Sequence, residues 1–400
     1  MTDISAELLA AKAKEQMPYT YKVYEMLHQN PEPSGEERQT AAFIRQELAA
    51  MGLDTNPVLD NGTLALLDTG RPGKTLLLRA DIDALPVQED ECNLSGKKPL
   101  VSGRPGVCHA CGHDGHTSML LAAAKALTQH KDQLCGKIMF IFESSEEMIA
   151  TASYPAIVEM LKQQKPDVIW GIHLYAMMKT GTVSVQPGPR MSGAGSFEIK
   201  IIGRGGHGSR PDQSINPVVT AAEITGKLGT IVPLQIAPDE AGVVTVSCLQ
   251  GGETWNIIPD TCTVIGGIRY FSVENFEKIV SRIRIITDSL CAANDCKAEY
   301  ITMPKLMYPV INDPAISKIA AAAVEKVLPG GVVEEPAWMA SESFGAYQNV
   351  VPGVFAFVGI QNEELGSGAA HHNVKFDLDE KALSIGAAAT VQFVSDFLAQ

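Results

Sequence analysis

The sequence predicts an α/β protein: a larger domain built on a mostly parallel sheet with helices on both faces, interrupted by a smaller inserted α+β domain. Three observations predict it. At 400 residues the chain exceeds one ordinary core and suits two domains, taking ~150 residues per domain as a guide. In its first part, short and continuously apolar runs alternate with helical periodicity, the pattern of strands buried on both faces. From Gly181 the pattern changes to alternating strands interleaved with two long helices, enough for an α+β layer pair.

In chain order, the turn Ser34-Gly35-Glu36-Glu37 leads into a helix over Ala42–Met51, and the run Thr75–Ala80 reads as a buried strand. A second helix over His116–Thr128 keeps Met119, Leu120, Ala123 and Leu127 on a 3.6-residue period. Buried strands follow at Lys137–Phe142 and Asp167–Ile172. The segment Gln186-Pro187-Gly188-Pro189 is a hinge into the inserted domain. There, strands are expected over Ser196–Ile202, Gly242–Ser247 and Cys262–Arg269, with helices near Asn216–Leu228 and Val273–Ala293. In the last of these Phe276, Ile279, Val280, Ile283, Ile286 and Leu290 form one apolar face. The exit hinge lies between Met303-Pro304 and Tyr308-Pro309. A strand over Gly353–Val358 and a helix from Asp379 complete the larger domain. The expected boundaries are 1–186 with 304–400 for the larger domain and 187–303 for the insertion.

Composition narrows the functions. Hydrophobic residues make up 45% and charged residues 20%, ordinary globular usage. A formal charge of −14 repels phosphate backbones and anionic lipid, so nucleic-acid and membrane-surface binding are not expected. No run of about 18 apolar residues offers a spanning helix, and the charged N-terminus does not read as a signal peptide. Eight cysteines are scattered from Cys92 to Cys296, in a chain large enough to fold without staples. That favours reduced thiols and a cytoplasmic location.

The chemistry concentrates at a few points. In Cys108-His109-Ala-Cys111-Gly-His113-Asp114-Gly-His116, one glycine separates Cys111 from His113 and permits a bend that points both at one centre. Thiolate plus imidazole suits zinc without excluding other first-row metals; a buried thiol beside a solvated histidine is the plainer alternative. The strand ending at Phe142 leads to Glu143-Ser-Ser-Glu146-Glu147. Adjacent carboxylates there are costly to desolvate without a cation, unless they cap a solvated helix start. With a metal, one carboxylate can ligate while its neighbour moves a proton. Asp81 and Asp83 close another strand on a shared face, and His173 follows the strand Asp167–Ile172. Three strands thus deliver metal-compatible groups at their C-terminal ends, where open α/β sheets place their sites.

These residues carry a resemblance. Arg79-Ala-Asp81-Ile-Asp83-Ala-Leu-Pro86, His109-Ala-Cys111-Gly-His113-Asp114-Gly-His116, Glu146-Glu147, Gly171-Ile-His173, Gly205-Gly-His207-Gly-Ser-Arg-Pro, Asn256-Ile-Ile-Pro259 and His372 with Phe376-Asp-Leu-Asp-Glu380 resemble the M20 metallopeptidase superfamily. The likeness is to its amidohydrolase branch, which includes hippurate hydrolases, indole-3-acetyl-amino-acid hydrolases and N-acyl-amino-acid amidohydrolases. Leu27-His28-Gln-Asn-Pro31-Glu32-Pro-Ser34 matches as well, so the likeness spans almost the whole chain.

The resemblance implies a cytoplasmic, metal-dependent amidohydrolase that cleaves N-acyl or aroyl amino acids. Cys111, His113, Glu147, His173 and His372 would ligate two divalent ions, zinc or manganese, with cobalt or nickel as alternatives. Glu146 would be the general base and Asp83 would support the ligands from behind. His207 would reach the scissile carbonyl from the inserted domain across a homodimer formed by that domain. Asn256 and Arg269 would hold a substrate carboxylate. Within the superfamily, dipeptidase and N-acetyl-amino-acid deacetylase activities are the alternatives; outside enzymology, a catalytically silent binding protein on the same fold. The chain departs from the family pattern at Glu143-Ser144-Ser145 and Met148 around the glutamate pair, at Tyr175-Ala176 after His173, and at Ser343.

Two rival motifs explain less. Cys108-His-Ala-Cys111 is a Cys-x-x-Cys that could form a redox pair, but it leaves the glutamates and the distant histidines without a role. Gly203-Arg-Gly205-Gly-His-Gly208 formally fits a dinucleotide fingerprint, yet Pro211 follows where the helix should begin.

Overall fold

The computed structural model describes residues 6–400 and divides the chain into two compact units. The larger ends its first stretch at Gly188 and resumes over Ile311–Pro336 and Ala346–Gln400. The smaller is Pro189–Val310 with Ala337–Gly345, so a late segment around Trp338 joins the smaller unit, where Trp338 N–H donates to Arg190 O at 2.8 Å.

The larger unit carries a seven-stranded sheet in the order Thr55–Val58, Gly62–Asp68, Lys137–Glu143, Thr75–Asp81, Val168–Lys179, Gly353–Gln361, Val183–Ser184. Its four longest-buried neighbours, Lys137–Glu143 through Gly353–Gln361, run parallel, and antiparallel pairs close both margins. Almost every residue of these four strands is buried. Since successive side chains point to opposite faces, both faces are covered.

Helices His113–Gln129 and Lys381–Leu398 pack together over this core through small residues. Gly386 is needed there, since a side chain on it would run into Met119. Trp170 stacks on Phe393 with centroids 4.5 Å apart and donates its indole N–H to Thr390 Oγ1 at 3.0 Å. The strand that carries His173 is thereby locked to the last helix.

His173 departs from its expected place at a strand end. The strand runs on through Lys179, because Leu174, Ala176 and Met178 continue the buried face while Leu174, Tyr175 and Lys179 pair with Val358, Gly359 and Gln361. The imidazole therefore leaves from the strand's middle, opposite Phe357.

In the smaller unit four antiparallel strands lie in the order Gly242–Gln250, Thr261–Tyr270, Gly193–Ile202, Lys297–Thr302. Alternate residues are buried in the two central strands, so one face carries the core. Phe197, Ile199, Ile201, Val264 and Ile268 meet Ala221 and Ile224 of helix Pro217–Leu228 and Ile279 and Ile283 of helix Val273–Ala293. Asn216 and Ser272 cap these helices, their side chains accepting from Val218 N–H at 3.0 Å and Asn275 N–H at 3.1 Å. A two-stranded ribbon pairs Gly206–His207 with Ile257–Ile258. Among the described residues no helix is long and apolar enough to cross a membrane.

Candidate metal centre

Gly112 sets the local geometry of the larger unit's site. At φ +89° it occupies the left-handed region and ends the loop just where helix His113–Gln129 begins. The bend sends Cys111 and His113 towards the same point. Donor atoms of Cys111, His113 and His173 lie within 4.8 Å of one another, as do those of Cys111, Glu147 and His372, and those of His113, Glu146 and Glu147. Six residues from the loop, two strand regions and the segment before the last helix thus converge. Cys111 Sγ stands 3.8 Å from His173 Nε2, and Glu147 Oε1 stands 3.0 Å from His372 Nε2. His372 has φ +65°, a left-handed backbone that a non-glycine residue keeps only when held; its N–H donates to Ala110 O at 2.8 Å.

The groups behind these donors set their protonation. Asp83 Oδ1 lies 3.1 Å from His113 Nδ1, while Oδ2 accepts from Ser34 Oγ at 2.7 Å and Glu147 N–H at 3.0 Å. Burial opposes the Asp83 charge, but these bonds outweigh it and hold the carboxyl below its usual range. Burial opposes a charge on His113, but Asp81 and Asp83 outweigh it and raise its pKa well above the usual value. The Asp83 contact holds the proton on Nδ1, so Nε2 is the nitrogen whose proton a cation would replace. That Nε2 is buried without a hydrogen-bond partner, a costly state for a polar atom unless a cation completes it. Burial, followed by the Glu147 carboxylate, pushes the Cys111 thiol well above its usual range; a bound cation reverses that balance and favours thiolate. The donor set therefore fits a divalent metal.

His371, part of the sequence's His371-His372 pair but given no role there, lies beside it. Its Nε2 accepts from Ala176 N–H at 3.1 Å, so the neutral ring carries its proton on Nδ1, 3.8 Å from Cys111 Sγ. Burial lowers its pKa to about 3, so it serves as a neutral donor to the sulfur.

Asp81, His113 and His116 also lie close enough to suggest a metal group, but their atoms are already used. His116 Nδ1 is 2.6 Å from Asp81 Oδ1 and its Nε2 accepts from Leu174 N–H at 2.9 Å. Arg79 donates to Asp81 at 2.7 Å and to Glu143 at 2.6 Å. This buried ion cluster braces the sheet beneath the site.

A second buried cluster supports the helix start. His28 bridges Asp114 at 2.7 Å and Glu89 at 3.2 Å, and Lys98 reaches Glu89 at 2.7 Å. Burial opposes a charge on His28, but the two carboxylates outweigh it and raise its pKa from 6.5 to about 9. This stabilisation is full below pH 6.5 and fades as pH rises through about 9. Replacing His28 by leucine is expected to cost ~3–5 kcal/mol at neutral pH by leaving the carboxylates short of a cation. Urea unfolding across this pH range should also show a flatter decline in the variant than in the wild type.

The remaining candidates belong to the smaller unit. His207 is exposed on the ribbon, its Nδ1 accepting from Ser209 N–H at 3.1 Å with Ser209 Oγ at 2.8 Å. A backbone N–H can only donate, so neutral His207 keeps its proton on Nε2 and offers it outward. Asn256 adjoins it: its carbonyl accepts from Gly208 N–H at 2.8 Å, and its Oδ1 from Thr254 Oγ1 at 2.9 Å. Arg269 spends Nε on Met339 O at 3.1 Å and Nη1 on Ile268 O at 2.9 Å.

The model of peptidase family M20/M25/M40 matches residues 77–396. Among curated proteins, IAA-amino acid hydrolase ILR1-like 4 of Arabidopsis thaliana is 34% identical, covering 98% of this chain and 88% of that protein. N-acetyl-L-cysteine deacetylase of Bacillus subtilis is also 34% identical, over 89% of this chain and 83% of its own length. Among solved structures, the YXEP protein of Bacillus subtilis, described as a dinuclear metal binding peptidase, superposes with a TM-score of 0.82 at 29% identity, over 96% of this chain and 99% of its own.

Proposed function

This chain belongs to peptidase family M20/M25/M40 and is a metal-dependent amidohydrolase, and from that premise we infer that it hydrolyses N-acyl or aroyl amino acids to a carboxylic acid and a free amino acid. The observation that carries the reading is the convergence of Cys111, His113, Glu146, Glu147, His173 and His372, with His113 Nε2 buried and without a hydrogen-bond partner. In this reading Cys111, His113, Glu147, His173 and His372 hold two divalent ions. The thiolate suits zinc, the carboxylate and imidazoles suit manganese too, and cobalt and nickel are alternatives. When bound, the ions supply Lewis acidity at the scissile carbonyl and at the attacking water.

The chain's own residues do the rest. Asp83 fixes the His113 tautomer and steadies the Glu147 backbone. Glu146 takes the proton released by the attacking water and returns it to the amine nitrogen as the C–N bond breaks. His207 donates from Nε2 to the carbonyl oxygen as negative charge builds on it. Asn256 and the remaining Arg269 nitrogen hold the substrate carboxylate. The cysteines are free, which suits the reducing cytoplasm.

The test is incubation with a panel of N-acyl and N-aroyl amino acids, plus zinc, manganese or cobalt, reading free amino acid. Complete inactivity across panel and metals would overturn the reading in favour of a silent binding protein.

We also place His207 in the site of a partner copy, within a homodimer formed by the smaller unit. Strand Gly242–Gln250 ends that unit's sheet, leaving an edge open to another chain. Mixing inactive His207→Ala protein with inactive Glu146→Gln protein is expected to restore part of the activity, because exchange builds a site with both residues intact. No recovery despite proven exchange, or a monomeric mass, would leave His207 acting within its own chain.

A further inference from the structure

The turn bearing Glu146 and Glu147 is gripped by a residue that the mechanism above does not use. Ser145, just before the pair, has φ +58°, a left-handed backbone that side-chain-bearing residues adopt rarely and keep when their surroundings enforce it. The group bonded to Ser145 is Glu37. Its Oε1 accepts from Ser145 N–H at 2.7 Å and from Ser145 Oγ at 3.0 Å, and its Oε2 accepts from Asn61 Nδ2 at 2.9 Å. Glu37 is fully buried. It opens helix Arg38–Ala50, yet its side chain makes no capping bond to that helix. One carboxylate oxygen is spent on the turn and the other on Asn61.

The rest of this N-terminal strap is spent on the same site. Ser34 Oγ donates to Asp83 Oδ2 at 2.7 Å, and Pro33 bridges to Ala84. Glu147 has its own anchor, the bond from its N–H to Asp83 at 3.0 Å. The turn is thus pinned at Ser145 by Glu37 and at Glu147 by Asp83, with Glu146 between the pins.

We propose that Glu37 is a positioning residue for proton transfer: by holding Ser145 in its left-handed conformation it sets the direction in which Glu146 leaves the turn. The inference rests on the reading of Glu146 as the proton carrier. Its consequence is a separation of effects. Glu147 keeps its own anchor, so loss of the Glu37 grip misplaces Glu146 and spares the metal.

Glu37→Gln keeps the shape but turns an amide donor towards either Ser145 or Asn61, both of which already donate. With the best substrate and metal from the panel, this variant is expected to lower kcat by roughly 10- to 100-fold, the scale set by misplacing a catalytic group by about an ångström. KM should stay within about twofold and the metal per chain, by elemental analysis, should stay at the wild-type value. Glycine takes up left-handed φ freely, so Ser145→Gly added to Glu37→Gln should recover kcat severalfold, a non-additivity that a loss of general stability does not produce.

A folded Glu37→Gln protein with wild-type kcat would overturn the proposal, and so would metal loss in proportion to the fall in kcat. If Glu37→Gln does not fold, Ser145→Ala decides: it keeps the N–H bond, loses the Oγ bond and should lower kcat about threefold. Unchanged kcat there would assign Glu37 to the fold alone. Wild-type protein inactive on every substrate and metal would sink the amidohydrolase reading, and this inference with it, before any variant is compared.

Discussion

Glu146→Gln is expected to lower kcat by at least ~10² while the protein keeps its full metal content. Glutamine matches the shape of the side chain and leaves Cys111, His113, Glu147, His173 and His372 untouched, but its amide cannot take a proton from water or return one to the departing amine. KM should move little, since the loss lies in the transition state. Steady-state hydrolysis and elemental analysis of the same preparation check both halves. Unchanged turnover would remove Glu146 from the proton path.

Glu147→Gln, one residue on, should behave differently. Glu147 Oε1 faces both His372 Nε2 at 3.0 Å and His113 Nε2 at 3.9 Å, so its carboxylate lies between the two other donor groups. A neutral amide there withdraws a charge from the site and is expected to weaken metal binding by ~10- to 100-fold or more, the range seen even for groups behind the ligands. Activity should fall with metal content and recover in part at high metal concentration. Glu146→Gln should show no such recovery. Equal metal loss in the two variants would show that the neighbours do not divide the work.

How much of this was legible in the sequence depends on how local each feature is. The helix Val273–Ala293 was legible because six apolar residues keep one face along it; the Ser272 cap that fixes its start is visible only in the fold. The buried parallel strands were legible because each is a continuous apolar run. Strands Thr55–Val58 and Lys297–Thr302 were not: the first is short and contains Pro57, and the second is mostly polar. Both edge strands draw their definition from the neighbour they pair with rather than from their own pattern.

In the site, Cys111 and His113 announce themselves because chemistry and spacing coincide within three residues. The layer behind them does not. Glu37 meets Ser145 across 108 positions, and Ser34 meets Asp83 across 49, and nothing in the string Ser-Gly-Glu-Glu says which side chain turns inward. Likewise His371 and His372 are indistinguishable as letters; only the Ala176 N–H bond shows that His371 turns its proton towards sulfur. Arg269 enters only through what the family resemblance implies, and its backbone contacts are visible only in the fold.

The most direct test of the central claim follows hydrolysis of one N-acyl amino acid against bound metal as chelated, metal-depleted protein is titrated with zinc or manganese. The account predicts no activity in the depleted protein, activity rising with ions bound, and a plateau at two ions per chain. Full hydrolysis by protein shown to be free of metal, or a metal-saturated protein that hydrolyses none of the N-acyl amino acids, would contradict it.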